Sequence, residues 1–270
     1  MIEAPIGIFD SGMGGLTVMR ALAKRLPDER FLYLGDTARL PYGTKSAETV
    51  KRYALQAAHA LMERKVKLLV VACNTASVSL PALQEALAPL PAIGVIEPGA
   101  RAALKASPGG PIAVIGTEGT VKGGAYVRAI HAHSQAPVVQ QACPLFVPMA
   151  EEGLIDGAIA EAVAHRYLDP LMATMPRPRA LVLGCTHFPV LKSVIARVAG
   201  EDVILVDSAA TTAEAVAQLL TERGLARKEK NGEPHRFLAT DAPDRFARVG
   251  EIFLGKAIDP GLVELIDLQN

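Results

Sequence analysis

The sequence predicts an α/β protein made of two similar lobes, each with a mainly parallel sheet flanked by helices. Two observations support this fold class. Short apolar, β-branched runs alternate with helical patterns along the whole chain, which is typical of βαβ units and parallel sheets. In addition, the runs that end in Cys73 and Cys185 resemble each other, and each leads into polar residues and then a helical pattern, which indicates an internal half-repeat. We therefore expect two lobes that face each other across a cleft, with the functional site in that cleft.

The order of the predicted elements follows from local patterns. Apolar runs predict strands at residues 6–9, 30–34, 67–72, 92–96, 111–115, 138–141, 180–183, 203–206 and 235–238, the last as an edge strand. Helical periodicity predicts helices near residues 16–26, 47–64, 80–88, 100–105, 123–133, 157–168, 191–198, 209–223 and 244–254. The charged, glycine-containing residues 227–233 predict an exposed loop.

Boundaries near Glu97 and Asp207 divide the chain into two predicted lobes. The first comprises residues 1–97 and 207–270 and carries Cys73, and the second comprises residues 98–206 and carries Cys185. Of the 270 residues, half are hydrophobic, which is enough for a sizeable core.

Charge and composition exclude several functional classes. Lysine plus arginine equals aspartate plus glutamate, at 28 each, so the chain lacks the positive excess expected of a nucleic-acid-binding protein. The first residues show no signal-peptide pattern, and no apolar run approaches the roughly 20 residues of a membrane span. Three cysteines do not suggest a disulfide framework. We expect a cytoplasmic protein with free thiols and no nucleic-acid or membrane partner.

Cys73 and Cys185 are the leading candidates for chemistry. Each follows a predicted buried strand, and ligands of open α/β sheets bind at the carboxyl ends of the strands. A helix N-terminus directly after each strand is expected to lower the pKa of the thiol. A single cysteine of this kind is more often an ordinary buried residue, but two in equivalent settings favour a shared site. Cys143 has no matching partner and is interpreted as structural.

The glycine-rich residues 10–15 follow the first strand and open the first helix. Their spacing fits neither the dinucleotide-binding pattern nor the P-loop, so nucleotide binding is not favoured. Two interpretations remain open. The segment is either a tight turn without a ligand or a loop whose N–H groups approach a small anion, with Asp10 pointing into the cleft.

Polar residues beside the two cysteines are further candidates, although such residues also favour caps and turns for local reasons. Residues 41–44 form either a plain turn or a loop over the cleft, and residues 151–153 either a solvated helix end or a carboxylate that grips an amine. A metal site is not expected, because His187 with Cys185 supplies too few ligands and His131 and His133 do not share a helix face.

Taken together, these motifs resemble those of the glutamate racemases over essentially the whole chain. The matching segments are Asp-Ser-Gly-x-Gly-Gly-Leu at 10–16, Gly-Asp at 35–36, Pro-Tyr-Gly at 41–43, Ala-Cys-Asn-Thr-Ala-Ser at 72–77, Glu-Glu-Gly at 151–153 and Gly-Cys-Thr-His-Phe-Pro at 184–189. Each motif is weak alone, and their combination in this order is specific.

The resemblance implies a cofactor-independent enzyme, often a homodimer, that interconverts L- and D-glutamate and supplies D-glutamate for peptidoglycan. It implies that Cys73 and Cys185 are the acid and base, assisted by Asp10 and His187. It also implies a set of substrate-binding residues and no metal: Ser11, Pro41, Tyr42, Gly43, Asn74, Thr75, Thr117, Glu152 and Thr186.

Other functions remain open at the level of the sequence. A racemase of the same fold that acts on aspartate or another small acidic amino acid would carry the same motifs. A Schiff-base lysine with pyridoxal phosphate is compatible with the sequence alone. A hydrolase or decarboxylase that uses one thiol would leave the second unexplained. A non-catalytic, two-lobed amino-acid-binding protein belongs to a different class, and its binding would not depend on either sulfur.

Overall fold

The protein forms two parallel sheets in a computed structural model that describes residues 2–229 and 232–268. The strands of the described residues are β1 (Ile6–Asp10), β2 (Phe31–Gly35), β3 (Leu68–Val71), β4 (Ala92–Gly94), β5 (Ile112–Gly116), β6 (Val138–Ala142), β7 (Ala180–Gly184), β8 (Ile204–Asp207), β9 (Arg236–Ala239) and β10 (Val263–Leu265). They form one sheet in the order β10-β9-β2-β1-β3-β4 and a second in the order β6-β5-β7-β8. Neighbouring strands run parallel throughout both sheets, so the predicted α/β fold class is confirmed.

Helices connect the strands and cover both sheets. They are α1 (Leu16–Arg25), α2 (Ala47–Glu63), α3 (Asn74–Ser77), α4 (Leu80–Leu87), α5 (Ile96–Ala106), α6 (Glu118–Gly123), α7 (Ala125–His131), α8 (Phe146–Glu151), α9 (Gly157–Met172), α10 (Lys192–Ala199), α11 (Ser208–Glu222) and α12 (Pro243–Leu254). Short 3₁₀ segments lie at Tyr42–Thr44, Phe188–Leu191 and Pro260–Leu262. None of these helices is both long enough and apolar enough to cross a bilayer.

Both sheets contribute one face to a common hydrophobic core. Because side chains alternate along a strand, neighbouring residues point to opposite faces. Val70 of β3 and Leu183 of β7 join the same apolar cluster, together with residues of α1, α9, α10 and α11. Val71 instead packs beneath α2 and α4, and Val182 beneath α5 and α7. The buried strands thus have apolar residues on both faces, which explains their continuous hydrophobic sequence.

The strand geometry brings four chain segments towards one region. β1 ends at Asp10, and Cys73 follows β3 after one intervening residue. Thr117 follows β5 directly, and Cys185 follows β7 directly. Since all strands are parallel, the carboxyl ends within each sheet lie at one edge, where ligands of such folds bind.

Three details of the predicted element order are wrong. The segment predicted as an edge strand at 235–238 is β9, which lies between β2 and β10 and is therefore not at the edge. β10 was not predicted from the sequence. The helix predicted at 123–133 is α7 alone, and the unpredicted helix α6 ends just before it, where Gly124 has a left-handed φ of 60°. The helix predicted at 100–105 begins at Ile96, which shortens the preceding strand.

The predicted loop at 227–233 falls partly outside the described residues, because these do not include Lys230 and Asn231. Lys228, Glu229, Gly232 and Glu233 are exposed. We retain the division into lobes of residues 1–97 plus 207–270 and 98–206 as a proposal, supported by the residues each sheet uses. Glu97 itself lies in the first turn of α5, whereas Asp207 caps α11 through its side chain.

A buried ion pair joins the segments at the opposite edge of the larger sheet. Lys67 Nζ lies 2.6 Å from Glu29 Oε2, and both side chains are almost fully buried. The same ammonium donates to the carbonyl oxygens of Ile2 and Leu225, at 2.7 and 2.9 Å. The backbone N–H of Arg227 donates to Glu29 Oε1 at 2.8 Å. Each charge therefore has several partners, which offsets the cost of its burial.

We expect Lys67→Ala to lower the free energy of unfolding by about 3–5 kcal/mol, because Glu29 would remain buried without its counter-charge. Urea denaturation measures this change. Arg25→Ala is the control, since its ion pair with Glu214 is exposed and its loss costs under about 1 kcal/mol. Equal losses in the two variants would contradict a special role for the buried pair.

Candidate active site

Cys73 and Cys185 line the same cavity, although they come from different sheets. Its lining is formed by polar and small residues from the loops after the strands: Ser11, Gly12, Leu40, Pro41, Tyr42, Gly43, Cys73, Asn74, Thr75, Thr117, Val147, Glu151, Cys185, Thr186 and His187. The cavity has a volume of about 30 Å³, enough for roughly two or three water molecules. The loops after the two sheets thus form a small cavity with a thiol from each.

A chain of charged side chains supports Cys185. Its Sγ lies 3.8 Å from His187 Nδ1, and His187 Nε2 lies 3.1 Å from Glu151 Oε1. Arg245 donates to the other oxygen of Glu151 at 3.0 Å, and the ring of Phe253 packs edge-on against the imidazole. Burial lowers the pKa of His187, but the hydrogen bonds to Cys185 and Glu151 outweigh it and raise the pKa to about 10. An imidazolium ion therefore lies beside the Cys185 sulfur.

Cys73 has a different environment. Its Sγ is 3.5 Å from Ser11 Oγ and accepts a hydrogen bond from the Ala76 N–H at 3.4 Å. Burial, followed by the charge of Asp10, raises the pKa of the Cys73 thiol to about 12. The hydrogen bonds with Ser11 and with the Ala76 N–H oppose this rise. The expectation that a helix N-terminus lowers this pKa is therefore wrong for the closed site, because α3 has only one turn and desolvation dominates.

Asp10 lies behind the cavity wall, where it is fully buried. It accepts hydrogen bonds from the Gly12 N–H at 3.0 Å and from the Thr186 hydroxyl at 3.4 Å. Burial raises the pKa of Asp10, while the nearby charge of His187 lowers it. The carboxyl group of Asp10 thus hydrogen-bonds to Thr186, the neighbour of Cys185, and its charge raises the pKa of Cys73.

Short polar contacts join the two sheets around the cavity. The Thr75 hydroxyl lies 2.9 Å from that of Thr117 and 3.2 Å from that of Thr120. A Cβ at Gly43 would lie 2.6 Å from the Thr117 Cβ, so only glycine allows this approach. We call these residues, Gly43, Thr75, Thr117 and Thr120, the seam.

The glycine-rich loop also has a packing role. A Cβ at Gly14 would lie 2.4 Å from His187 Nδ1, so a side chain there would displace the imidazole. Tyr42 is buried and donates its hydroxyl hydrogen to Asp36, which also accepts from Arg39 at 2.7 Å and from Thr240 at 2.9 Å. The phenol oxygen of Tyr42 is therefore already engaged away from the cavity.

Most of the predicted site residues lie in the cavity wall. The exceptions are Asp10, which is in the layer behind it, and Glu152, which is exposed. The preceding residue, Glu151, faces the cavity instead and was missed. Helical spacing could have identified it, because Val147 and Glu151 are four residues apart on α8 and both line the cavity.

Cys143, predicted to be structural, is buried outside the cavity and donates to the Gln141 carbonyl at 3.7 Å. His131 and His133 bind different partners, the Ala136 carbonyl and Glu97. Across the described residues, no group of three or more histidine, cysteine or acidic side chains is arranged to hold a metal ion. The described residues of the cavity wall include no lysine that could form a Schiff base.

The Asp/Glu/Hydantoin racemase family model matches residues 6–216. The chain belongs to this racemase family. A glutamate racemase from Geobacter metallireducens is 52% identical over 252 residues, which cover 93% of this chain and 92% of that protein. The resemblance to the glutamate racemases that the motifs predicted is therefore confirmed.

Solved structures of this family have the same fold. A glutamate racemase from Francisella tularensis in complex with D-glutamate has a TM-score of 0.92 and 38% identity, with 99% of each chain covered. A glutamate racemase isoform from Bacillus anthracis has a TM-score of 0.93 and 40% identity, again with 99% of each chain covered. The fold resemblance thus extends over both sheets.

We expect Glu151→Gln to lower the pKa of His187, because the imidazolium would lose its negatively charged partner. The pKa of folded His187, about 10, exceeds the unfolded value of about 6.5. This histidine therefore contributes stability that is fully present below pH ~6.5 and is lost as the pH rises through ~10. The stability advantage of the wild type over Glu151→Gln should shrink across that interval.

Denaturation curves at several pH values and NMR titration of the imidazole measure both effects. Glu152→Gln is the matched control, because this neighbouring carboxylate lies outside the cavity wall. An unchanged His187 titration in Glu151→Gln would contradict the role of Glu151 as the partner that keeps the imidazole protonated.

Proposed function

We propose that this protein racemises glutamate by a two-base mechanism in which Cys73 and Cys185 exchange protons with the α-carbon. The observation that carries the proposal is that one thiol from each sheet lines the same cavity. A one-thiol hydrolase or decarboxylase would have no use for the second sulfur. The activity named for the relatives from Geobacter metallireducens and Francisella tularensis supports glutamate as the substrate.

The chemistry needs one acid and one base on opposite faces of the substrate. The α-hydrogen of an amino acid is weakly acidic, because the adjacent carboxylate already carries negative charge. One cysteine, as thiolate, removes this proton and becomes a thiol, and the two electrons of the C–H bond remain on the α-carbon. The other cysteine, as thiol, donates its proton to the opposite face and becomes a thiolate. Configuration is inverted, and the roles of the cysteines are exchanged for the reverse reaction.

Charged and polar neighbours complete the mechanism. The imidazolium of His187 beside Cys185 stabilises negative charge on that sulfur. Cys73 has a raised pKa in the closed cavity, and the ammonium group of a bound amino acid close to Sγ would lower it. Hydrogen-bond donors in the wall, such as Ser11, Asn74 and Thr186, would bind the carboxylates and stabilise the charge that develops in the transition state.

Substrate entry requires the seam to open. The cavity holds roughly two or three water molecules, and glutamate is several times larger than water. We propose that the sheets separate at the seam to admit the substrate and then close again, which expels water and strengthens the electrostatic interactions around it.

We also propose that the product serves peptidoglycan synthesis, that the enzyme is cytoplasmic and acts without a cofactor, and that it forms a homodimer. The resemblance of the motifs to those of the glutamate racemases supports these proposals. The described residues of the cavity wall include no lysine, which is compatible with cofactor independence.

We expect Cys73→Ala and Cys185→Ala each to reduce racemisation by roughly 100- to 10,000-fold, because each removes one of two proton carriers. Polarimetry with either enantiomer measures the rate. Cys143→Ala is the matched control, since this third buried thiol lies outside the cavity and its loss should leave the rate unchanged.

In deuterated water, each enantiomer should yield product with deuterium at the α-carbon, because the donated proton comes from a solvent-exchanged thiol. Product that keeps its original hydrogen would argue against two separate proton carriers. The assay needs no added cofactor, and pyridoxal phosphate should not change the rate.

Comparison of glutamate with aspartate tests the alternative substrate. We expect kcat/KM for glutamate to exceed that for aspartate by more than about tenfold, because a buried donor loses its partner when the substrate is one methylene shorter. Preference for aspartate would replace the proposed substrate. Binding of glutamate without any loss of optical rotation would instead support the amino-acid-binding protein.

A further inference from the structure

The hydrogen bonding of the Asn74 side chain determines which of its amide atoms can bind a ligand. Asn74 lies at the start of α3, next to Cys73, and is 2% exposed. Its Oδ1 accepts a hydrogen bond of 2.7 Å from the Tyr126 hydroxyl. Its Nδ2 is buried and has no hydrogen-bond partner among the described residues. Asn74 lines the cavity, and its two Nδ2–H donors have no acceptor among the described residues.

Tyr126, the hydrogen-bond partner of Asn74, is tightly packed. It is the second residue of α7, in the segment that follows β5, and is fully buried. Its ring is packed between two glycines: a Cβ at Gly99 would lie 3.2 Å from the ring and hydroxyl, and a Cβ at Gly184 3.1 Å from the ring. Larger residues at either position would displace the phenol. This close packing restricts the position of the Tyr126 ring, and its hydroxyl donates a hydrogen bond to Asn74.

The direction of this hydrogen bond is also determined. Burial raises the pKa of Tyr126, while a hydrogen bond with Ser208 lowers it. Because burial disfavours the charged phenolate, the phenol of Tyr126 stays protonated. The phenol keeps its own hydrogen and donates it onward. Its partner must be an acceptor, which selects Oδ1 of Asn74 and turns Nδ2 away from Tyr126.

We infer that Tyr126 is a positioning residue: its hydroxyl fixes the Asn74 amide so that Nδ2 can donate to a carboxylate of the substrate. The inference rests on the proposed function, because it requires an anionic amino acid in the cavity. Without the hydroxyl, the amide can rotate by half a turn and present Oδ1, which repels a carboxylate. Tyr126 would act only through Asn74 and would not touch the substrate itself.

The test is a double-mutant cycle on binding. We expect Tyr126→Phe to weaken D-glutamate binding about tenfold, the size of one hydrogen bond to a charged group, and to raise KM while kcat changes little. In an Asn74→Ala background, the same substitution should have no further effect on Kd, since its target is gone. Isothermal titration calorimetry measures Kd for all variants without depending on activity.

Tyr167→Phe is the matched control. It removes a hydroxyl of similar burial that accepts from the Leu145 N–H, outside the cavity wall. Gly99→Ala is a second variant that leaves Tyr126 itself unchanged, because its added Cβ would lie 3.2 Å from the phenol ring and hydroxyl and shift them. It should weaken D-glutamate binding about threefold in the wild type and not in Asn74→Ala.

Additive effects of Tyr126→Phe and Asn74→Ala, or an unchanged Kd in Tyr126→Phe, would overturn the inference while leaving the racemase proposal intact. If Tyr126→Phe does not fold, Gly99→Ala decides by the same comparison, and an unchanged Kd there overturns the inference. A wild-type protein that neither binds nor racemises glutamate would overturn both proposals.

Discussion

The apolar core shared by the two sheets is the constraint on which the site depends. Inward residues of both sheets, such as Val70 and Leu183, belong to one continuous cluster that also includes residues of α1, α9, α10 and α11. Because protein interiors are close-packed, such a cluster leaves little freedom in how the sheets are placed. The strand ends that carry Cys73 and Cys185 are therefore brought together by packing in this cluster, which includes Cys185 itself.

Burial has opposite consequences for the two halves of the site. Around Cys73, desolvation dominates and raises the pKa of the thiol. Beside Cys185, hydrogen bonds outweigh desolvation at His187 and raise the pKa of that imidazole to about 10. The two thiols are alike in their place on the strands and different in their electrostatic surroundings. A reaction that runs in both directions must balance this difference through the charges of the substrate.

The sequence was sufficient for the fold class and for most of the cavity wall, because both follow from patterns within short segments. Buried parallel strands have an apolar signature, and the residues after each strand share one edge of the sheet. The features that the sequence could not supply depend on contacts between distant segments. Glu151 and Glu152 are chemically identical neighbours, and only the packing of α8 against His187 distinguishes them. β10 was missed because its three residues gain strand structure from pairing with β9.

The predicted pKa of Cys73 was wrong for a related reason. The helix N-terminus is visible in the sequence, whereas the degree of desolvation depends on how tightly the seam closes. Tyr126 also has no local signal, since its hydroxyl acts on a residue 52 positions earlier in the chain.

The tight enclosure of the thiols also determines their susceptibility to chemical damage. Peroxides and alkylating reagents attack thiolates that they can reach, and Cys73 is only 5% exposed and has a raised pKa. Such reagents would modify it only in the fraction of molecules that is open at a given moment. Its inactivation rate would therefore report the frequency of opening, and a tightly bound amino acid would protect it.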